Sequence, residues 1–481
     1  MPFNLGEIKP RELITVSILC FINLINYMDR FTVAGMLTKI KDDFNIGYDK
    51  SGLLQTAFII SYMIFAPLFG YLGDRYNRKT IMGIGVFLWS LTTLIGSFMT
   101  TFETFLIFRA MVGIGEASYS TIAPTLISDL FIDDVRSKML ALFYFAIPVG
   151  SGMGYIIGGE MSKVTGSWQW GLRVTPVLGI LAIILLLIGV KEPVRGEREG
   201  GIHITNTAWL QDVKALMKNP SFTLSTAGFT CVSFVAGALS WWAPTYLQLG
   251  FKLIGSDVDS LNVDYKFGLI GMMSGIIGVP LGSFLAQKLR LRWTTIDPLI
   301  CATGLLISAP LIFFATITAN TNATLCYVLI FLGQVALNLN WAIVADMLLY
   351  VVIPTRRSTA EAFQILFAHA FGDAGSPYLI GLISEGLKVV ILPNLSLGGS
   401  ASDVPSVYSD IVEFRSLQYA LFVTIFVQVL GALFFFFTAL YIEKDRALVE
   451  LLTITSGSIS DSVHICNGET ESESQDETFR T

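Results

Sequence analysis

A succession of long apolar segments limits the possible folds of this 481-residue chain more than any other feature. A helix needs about 20 mostly apolar residues to cross a bilayer. Hydrophobic residues make up 53% of the chain and charged residues only 14%, which excludes an ordinary soluble domain and predicts an all-α multi-pass membrane protein. The segments predict twelve transmembrane helices, at residues 13–37, 51–73, 80–100, 104–131, 138–162, 168–190, 222–247, 267–287, 296–318, 323–352, 359–391 and 415–442.

Polar segments divide the predicted helices into two groups of six. The stretch 191–221 separates the sixth helix from the seventh and contains a short amphipathic pattern, so it is predicted to be a cytosolic linker with one surface helix. The expected N-terminal half is 1–190 and the C-terminal half is 222–446. The tail, 447–481, is rich in Ser, Thr and acids, and its composition predicts disorder.

The distribution of Lys and Arg predicts the orientation in the membrane. These residues are concentrated in the loops on the side of the N-terminus, and loops of this kind are usually cytosolic. Two Asn-x-Ser/Thr sequons, at Asn322 and Asn394, fall in predicted loops on the other side, where glycosylation is possible. We therefore predict that both termini are cytosolic.

The residues that commonly bind metals show no pattern of a site. The chain has three His and five Cys, spread over separate segments, so neither a metal site nor a disulfide framework is predicted. We expect no cofactor. The net charge of −6 comes largely from the C-terminal tail and gives no indication of a nucleic-acid partner.

The fourth predicted helix carries two opposite charges, Arg109 and Glu116, inside an apolar segment. They are two helical turns apart and share one face, separated by about 10 Å along the axis. A charge at membrane depth costs at least about 2.5–3.5 kcal/mol unless it faces a partner or a cavity. The two charges are therefore predicted to form a proton or substrate site or, alternatively, a buried structural ion pair.

The most specific motif is GYLGDRYNRK, at residues 70–79, after the second predicted helix. It resembles the signature of the major facilitator superfamily, Gly-x-Leu-Ala-Asp-Arg-x-Gly-Arg-Lys, with Gly in place of Ala and Asn in place of the later Gly. The glycines allow close helix approach, and an Arg of the motif can pair with an acid at the inner end of the fourth helix. The predicted cytosolic gate residues are Gly70, Gly73, Asp74, Arg75, Arg78 and Asp129.

The fifth predicted helix carries a stripe of small residues, Gly150, Gly154 and Gly158. It resembles a second motif of the superfamily, Gly-x-x-x-Gly-Pro-x-x-Gly-Gly, with Tyr155 in place of Pro. A stripe at intervals of four predicts close packing against another helix. An Arg-Ser pair also precedes both the fifth and the eleventh helices, as expected for two halves related as repeats.

Several strings narrow the resemblance to the Spinster family of transporters. They are NYMDR at 26–30, the segment 109–116, RSTAEAF at 357–363, HAFGDAGSPYLIG at 369–381 and YIEKDR at 441–446. This resemblance covers residues 10–446 and implies a proton-linked or gradient-driven carrier of lysolipids. One branch of the family exports lysophospholipids from lysosomes, and another releases sphingosine-1-phosphate from cells. The implied partners are a lysolipid, protons and the bilayer, and we expect a monomer.

Polar residues recur at helical spacing in several predicted helices, and pointing them into one shared cavity avoids exposing them to lipid. The predicted headgroup residues are Asn26, Arg30, Arg109, Gln334, Asn338, His369, Asp373 and Ser376. Asp29 and Glu116 are the predicted proton-coupling acids, because burial favours their neutral forms and nearby arginines favour their charged forms. We hypothesise that protonation of Glu116 frees Arg109 to bind a lipid phosphate.

Three other functions stay open from the sequence. A carrier of sugars or organic anions is the nearest alternative. A membrane-embedded lipid enzyme would need a nucleophile, and only His369 with Asp373, at i and i+4, offers a candidate acid–base pair. We therefore expect no enzymatic activity. A sensor built on a carrier scaffold is the third alternative.

Overall fold

The computed structural model describes residues 9–131, 133–192, 209–254, 260–353, 357–395 and 406–477. The first half contains α1 (Pro10–Gly35), α2 (Leu37–Phe44), α3 (Tyr48–Arg75), α4 (Arg78–Gly96), α5 (Phe102–Leu130), α6 (Asp133–Thr165) and α7 (Gln169–Gly189). The linker and second half contain α8 (Trp209–Met217), α9 (Pro220–Leu253), α10 (Ser260–Arg290), α11 (Ile296–Thr318), α12 (Ala323–Asn338), α13 (Asn340–Val351), α14 (Arg357–Phe367), α15 (Gly375–Leu395) and α16 (Ser406–Glu477).

These helices confirm the predicted multi-pass architecture. Within the described residues, eleven segments are long and apolar enough to cross a membrane. The helix α5 falls outside that count, but its 29 residues are enough to cross a bilayer, and it is the predicted fourth helix. The short helix predicted in the linker is present as α8.

Glycines hold α1 and α6 together at close range. A Cβ atom placed on Gly150 would lie 2.5 Å from the carbonyl oxygen of Leu24, and one on Gly154 would lie 2.5 Å from that of Met28. A Cβ on Gly158 would lie 2.9 Å from the carbonyl oxygen of Thr32. The stripe in α6 therefore packs directly on the backbone of α1, as the sequence predicted. This contact fixes the helix that carries Asp29 and Arg30.

The two halves contact each other mainly through α3 with α15 and through α6 with α10. On the predicted luminal side these contacts are tight, because a Cβ on Gly52 of α3 would lie 2.5 Å from the carbonyl oxygen of Pro377. Gly70 lies five turns further along the same face of α3, on the predicted cytosolic side, and a Cβ there would meet no atom within 4 Å. The halves are therefore closed on the predicted luminal side and apart on the predicted cytosolic side.

The second pair of helices shows the same asymmetry. Pro148 of α6 packs against Gly275, and a Cβ on Gly152 would lie 2.7 Å from the carbonyl oxygen of Gly268. Tyr144 lies one turn closer to the cytosolic end on the same face of α6, and it is 44% exposed. The arrangement is an inward-open one, if the predicted orientation is used.

Two predicted helices are interrupted in the structure. The expected continuous helix 323–352 breaks between α12 and α13, where the side-chain amide of Asn340 donates to the carbonyl oxygen of Leu337 at 2.8 Å. Such a local side-chain bond competes with the helical backbone pattern. The expected helix 359–391 contains a π-helical segment, Ala368–Asp373, in which the Ala374 amide donates to the His369 carbonyl oxygen at 2.9 Å. Pro377 contributes to this break because it has no amide hydrogen for the Asp373 carbonyl.

The tail and one loop differ from the sequence predictions. The structure continues α16 as a helix to Glu477, where composition predicted disorder from 447 onward. Extending an existing helix avoids the cost of nucleating a new one. The side chains beyond Leu451 lie outside the described residues. The amphipathic helix α2, on the predicted luminal side, was absent from the sequence prediction because eight residues give only a short pattern.

The two sequons lie at helix ends. Asn322 is the N-cap of α12, and its side chain accepts a hydrogen bond from the Leu325 amide at 3.0 Å. Its side chain is exposed. Asn394 lies in the last turn of α15, and its side chain lies outside the described residues.

Candidate functional site

An ion pair between α1 and the π-helical segment joins the two halves. The Nη2 atom of Arg30 lies 2.8 Å from Oδ2 of Asp373. The other oxygen, Oδ1, lies 2.8 Å from Nδ1 of His369, whose ring packs edge-on to Tyr62 with 5.7 Å between ring centroids. The side chains of Arg30 and Asp373 are only 9% and 17% exposed. The structure therefore brings together three of the predicted headgroup residues from opposite halves.

A second ion pair lies deeper within the first half. The Nη1 atom of Arg109 lies 3.6 Å from Oδ2 of Asp29, and its Nη2 donates to the backbone carbonyl oxygen of Arg30 at 3.1 Å. Asp29 also accepts hydrogen bonds from the hydroxyl groups of Thr93, at 3.2 Å, and Thr175. Asp29 is fully buried, and α4, α5 and α7 each contribute one partner to its carboxylate.

The predicted pairing of Arg109 with Glu116 is wrong in this structure. Arg109 is held by Asp29 of α1, and no ion pair within 4.0 Å links Arg109 and Glu116. The reason is distance, because two helical turns separate the two side chains along α5 whereas Asp29 lies directly across a helix contact. Oε1 of Glu116 is buried and has no hydrogen-bond partner among the described residues.

The two arginines share one aromatic neighbour, Phe58 of α3. Its ring centroid lies 5.2 Å from the Cζ atom of Arg30 and 4.5 Å from that of Arg109. Phe58 is fully buried. A desolvated cation–π contact of this kind is worth about 2 kcal/mol, so the ring lowers the cost of placing two like charges near each other.

Several buried hydrogen-bond donors in this region have no partner in the part of the chain that the structure describes. Among the described residues, the buried donor atoms without a hydrogen-bond partner include Asn26 Nδ2, Arg30 Nε, Arg109 Nε and Ser376 Oγ. An unmade buried hydrogen bond costs about 1–3 kcal/mol, so these atoms favour a ligand that can accept.

Two predicted headgroup residues are placed elsewhere. Ser274 of α10 donates to Oε1 of Gln334 at 3.0 Å, and Asn338 donates to the Ser274 hydroxyl at 3.4 Å. Gln334 also borders a small apolar cavity of about 30 Å³ inside the second half. These contacts lie within the second half and connect α10 to α12. In the described structure, Gln334 and Asn338 therefore contribute to the packing of α10 against α12 and do not belong to the site around Arg30.

The signature motif forms a contact within the first half. Arg78, at the start of α4, pairs with Asp129 at the end of α5, as the sequence predicted for an Arg of the motif. A Cβ on Gly73 would lie 2.9 Å from the side chain of Ile122, so Gly73 allows close packing. The close approach predicted at Gly70 is absent, because the two halves are apart there. The side chains of Asp74 and Arg75 lie outside the described residues.

A charged cluster on the predicted luminal side, which we call the luminal cluster, was not predicted from the sequence. It consists of Lys41, Tyr48, Glu385, Lys388 and Glu413. Lys41 Nζ lies 3.2 Å from Glu413 Oε2, and the Tyr48 hydroxyl donates to the same oxygen at 2.9 Å. Lys388 Nζ lies 2.8 Å from Glu385 Oε1. The partners are up to 372 residues apart in the chain, so no local pattern could have indicated them.

Comparisons with known proteins identify the family. The Major Facilitator Superfamily profile matches residues 19–377. "Protein spinster" of Drosophila melanogaster is 56% identical over 93% of this chain and 79% of its own length. "Protein spinster homolog 1" of Homo sapiens is 51% identical over 92% of this chain and 83% of its own length. The chain belongs to the Spinster family of major facilitator transporters.

Solved structures agree with the fold of this Spinster protein. A bacterial homologue of the human lysosomal transporter Spinster, crystallised in an inward-facing and unoccupied conformation, superposes with a TM-score of 0.80. The two chains are 21% identical over 91% of this chain and 99% of that one. A D-xylose–proton symporter superposes with a TM-score of 0.64 at 16% identity, covering 88% of this chain and 97% of its own. At these identities the likeness shows the fold alone.

Proposed function

We propose that this Spinster protein is a proton-coupled carrier that exports lysophospholipids from the lysosome lumen to the cytosol by alternating access. The observation that carries the proposal is the Arg30–Asp373 ion pair, which joins the two halves beside the rings of Phe58 and Tyr62. Such a site offers a charged zone for a phosphate and an apolar zone for one acyl chain. The resemblance of the sequence to lysolipid carriers supports the same substrate class.

The charged zone suits a phosphate group. Arg30 and Arg109 both keep an Nε donor without a partner, and Arg30 is already engaged by the Asp373 carboxylate. Arginine binds carboxylate and phosphate in the same planar, two-pronged geometry. An incoming lipid phosphate therefore competes with Asp373 for Arg30. Because this ion pair joins the halves, its replacement by substrate would link binding to their relative movement.

Aromatic rings form the less polar part of the site. Tyr62 packs edge-on to His369 with 5.7 Å between ring centroids, and the ring centroid of Phe58 lies 5.2 Å from Cζ of Arg30. Both rings belong to α3, one helical turn apart, so an aromatic surface of the first half borders the ion pair. A sugar site would instead need several hydrogen-bonding groups around the ring hydroxyls. This contrast favours an amphiphile over the sugar alternative.

Glu116 is the proposed proton site. Its buried Oε1 has no partner, and an unpaired buried charge is costly, so protonation removes that cost. Asp29 already holds Arg109 and is enclosed by Thr93 and Thr175, which suits a residue that orients the arginine. Asp29 remains the second candidate for protonation. This assignment revises the shared Glu116–Arg109 pair that the sequence suggested.

The decisive experiment is uptake into proteoliposomes, with and without an imposed pH gradient. Labelled lysophosphatidylcholine, sphingosine-1-phosphate, a hexose and an organic anion are compared side by side. We expect saturable lysophosphatidylcholine uptake that rises with the pH gradient and whose half-saturation concentration is raised at least tenfold in Arg30→Gln. Arg173→Gln is the matched control, because Arg173 packs between Phe98 and Trp170 and lies outside the site.

Other outcomes would identify another function. Preferred sphingosine-1-phosphate uptake would indicate the exporter branch, and hexose or organic-anion uptake would refute the lipid assignment. Chemical conversion of the lipid over time would indicate an enzyme. Lipid binding that is not followed by movement across the bilayer would indicate a sensor.

Orientation and compartment can be tested separately. One solved relative is described as a homologue of a human lysosomal transporter, which supports a lysosomal location for this chain. We propose that both termini are cytosolic and that Asn322 faces the lumen. The exposed Asn322 should then carry a glycan whose removal by glycosidase shifts the gel mobility, and Asn322→Gln should abolish that part of the shift. Protease protection of an N-terminal epitope in intact lysosomes would contradict the orientation.

A further inference from the structure

We propose that Tyr48 acts as the latch that holds the two halves together on the predicted luminal side, with Glu385 and Glu413 as its receptors. In the described structure Tyr48 is the first residue of α3, in the first half, and only 1% of it is exposed. Apart from Lys41 of α2, the residues that contact its side chain belong to α9, α15 and α16 of the second half. The proposal concerns alternating access alone, so it does not depend on the identity of the transported lipid.

Glu385 completes the N-terminus of α3 from the opposite half. The N-cap of α3 is Gly47, which has no side chain to accept a hydrogen bond from the first turn. The Tyr48 amide donates instead to Oε1 of Glu385 at 2.7 Å. A carboxylate at this position also interacts favourably with the positive end of the helix dipole. Separation of the halves therefore removes the cap of α3 together with the contact.

The tyrosine side chain is bound by charged groups from both halves. Its hydroxyl donates to Glu413 Oε2 at 2.9 Å, and that carboxylate also pairs with Lys41. Lys388 lies 4.1 Å and Lys41 lies 4.6 Å from the ring centroid. The ring thus lies between two cations, one from each half, in addition to donating to an acid.

The backbone of the second half is shaped to admit Tyr48. A Cβ atom on Gly381 would lie 2.4 Å from the carbonyl oxygen of Tyr48, so only glycine permits this approach. Trp242 packs edge-on to the tyrosine ring with 5.2 Å between centroids, and its Nε1 donates to the Pro377 carbonyl oxygen at 2.9 Å. The receptor is therefore held in place by contacts within the second half. A preformed receptor and a single inserted side chain are the features of a latch.

The test measures the distance between the luminal ends of the two halves. Spin labels are placed at Lys50 and Val389, which are exposed and lie next to the cluster, in a background with the five native cysteines replaced by alanine. Transport by this background is checked first. Distance distributions in nanodiscs then give the ratio of luminally open to luminally closed molecules. In the protein with an unsubstituted Tyr48, the two labels should mainly show the short distance of the luminally closed state.

Three variants should shift this ratio toward the open state. Tyr48→Phe removes one charge-assisted hydrogen bond and Glu413→Gln removes the ion pair with Lys41, so each should raise the open-to-closed ratio about tenfold. Gly381→Ala should also raise the open-to-closed ratio, because the added methyl group excludes Tyr48 without changing any charge. Asp410→Asn is the matched control, since Asp410 lies on α16 near Glu413 but pairs at 2.7 Å with Lys252 of its own half.

The result has two clear readings. An open shift in the three variants, with Asp410→Asn unchanged, supports the latch. Unshifted distances in both Tyr48→Phe and Gly381→Ala would overturn it, as would an equal shift in Asp410→Asn. Variants that fail to elute as folded monomers are replaced by Lys41→Gln, which must then give the open shift. If the unsubstituted protein does not transport lysolipids, the proposed substrate is refuted. The distance measurement still tests the latch in that case.

Discussion

The contact between α1 and α6 makes a quantitative prediction about Gly154. Replacing it with alanine places a methyl carbon 2.5 Å from the Met28 carbonyl oxygen, whereas ordinary contacts are 3.4–4 Å. The two helices must therefore separate by about 1 Å at this point, because close-packed interiors do not yield freely. Overpacking of this size typically costs about 1–3 kcal/mol of folding free energy.

The matched control is Gly386→Ala, in α15. A Cβ on Gly386 would meet no atom within 4 Å, so this variant changes helix propensity without steric conflict. Alanine is favoured over glycine inside a helix by roughly 0.5–1 kcal/mol, and both variants share that gain. The difference between the two unfolding free energies therefore isolates the steric cost, expected to be about 1–3 kcal/mol with Gly154→Ala the less stable.

Equilibrium unfolding in mixed micelles gives both free energies, and the eight tryptophans provide the fluorescence signal. Transport is measured on the same preparations. Because Met28 lies next to Asp29 and Arg30 on α1, Gly154→Ala should also lower transport, while Gly386→Ala should leave it near the unsubstituted level. Equal stability of the two variants, within about 0.5 kcal/mol, would refute the packing argument.

Three further predictions concern the site and the gate. Glu116→Gln should transport lysolipid without the normal dependence on a pH gradient, and Asp29→Asn should show a related defect; a full pH response in Glu116→Gln would remove its proton role. Arg30→Gln should raise the half-saturation concentration for lysolipid at least tenfold, and Arg30→Lys should restore it only in part because lysine lacks the planar fork; equal transport by both would exclude a two-pronged phosphate contact. Arg78→Gln should lower the maximal transport rate more than the lipid affinity, because its contact with Asp129 lies on the predicted cytosolic side, where the halves are apart; reduced binding at an unchanged rate would contradict this.

Much of the fold could be predicted because membrane helices are encoded locally. Each transmembrane helix needs its own run of apolar residues. The glycine stripe at 150–158 predicts a close helix contact from its four-residue spacing alone. The motif GYLGDRYNRK and Asp129 lie at the same end of neighbouring helices, so their contact could also be predicted from the sequence. The interruption at Ala368–Asp373 was not predicted, since a π-helical turn depends on local backbone competition rather than on hydropathy.

The partners of the charged residues were harder to predict than their presence. Sequence spacing indicated that Arg109 and Glu116 share a face, but it gave no information about which side chain of another helix lies nearer. Asp29 lies on α1 and reaches Arg109 across the helix contact, so the pairing depends on tertiary packing. The same limit applies to Tyr48, whose receptors come from the far end of the chain. Contacts between the halves are therefore the part of the site that only a structure provides.

The distribution of ion pairs indicates which contacts must break when the protein changes state. On the predicted cytosolic side, Arg78–Asp129 lies within the first half, and Arg290 pairs with Asp297 at 2.6 Å within the second. Contacts within a rigid half persist when the halves rotate against each other. By contrast, Arg30–Asp373 and the luminal cluster bridge the halves, so opening the luminal side requires both to separate. In the proposed function a substrate phosphate replaces Asp373 at Arg30, whereas nothing in the described cluster replaces Glu413 at Tyr48. Under that proposal, binding at the central site and release of the luminal cluster are distinct events, and substrate binding compensates only for the loss of the Arg30–Asp373 pair.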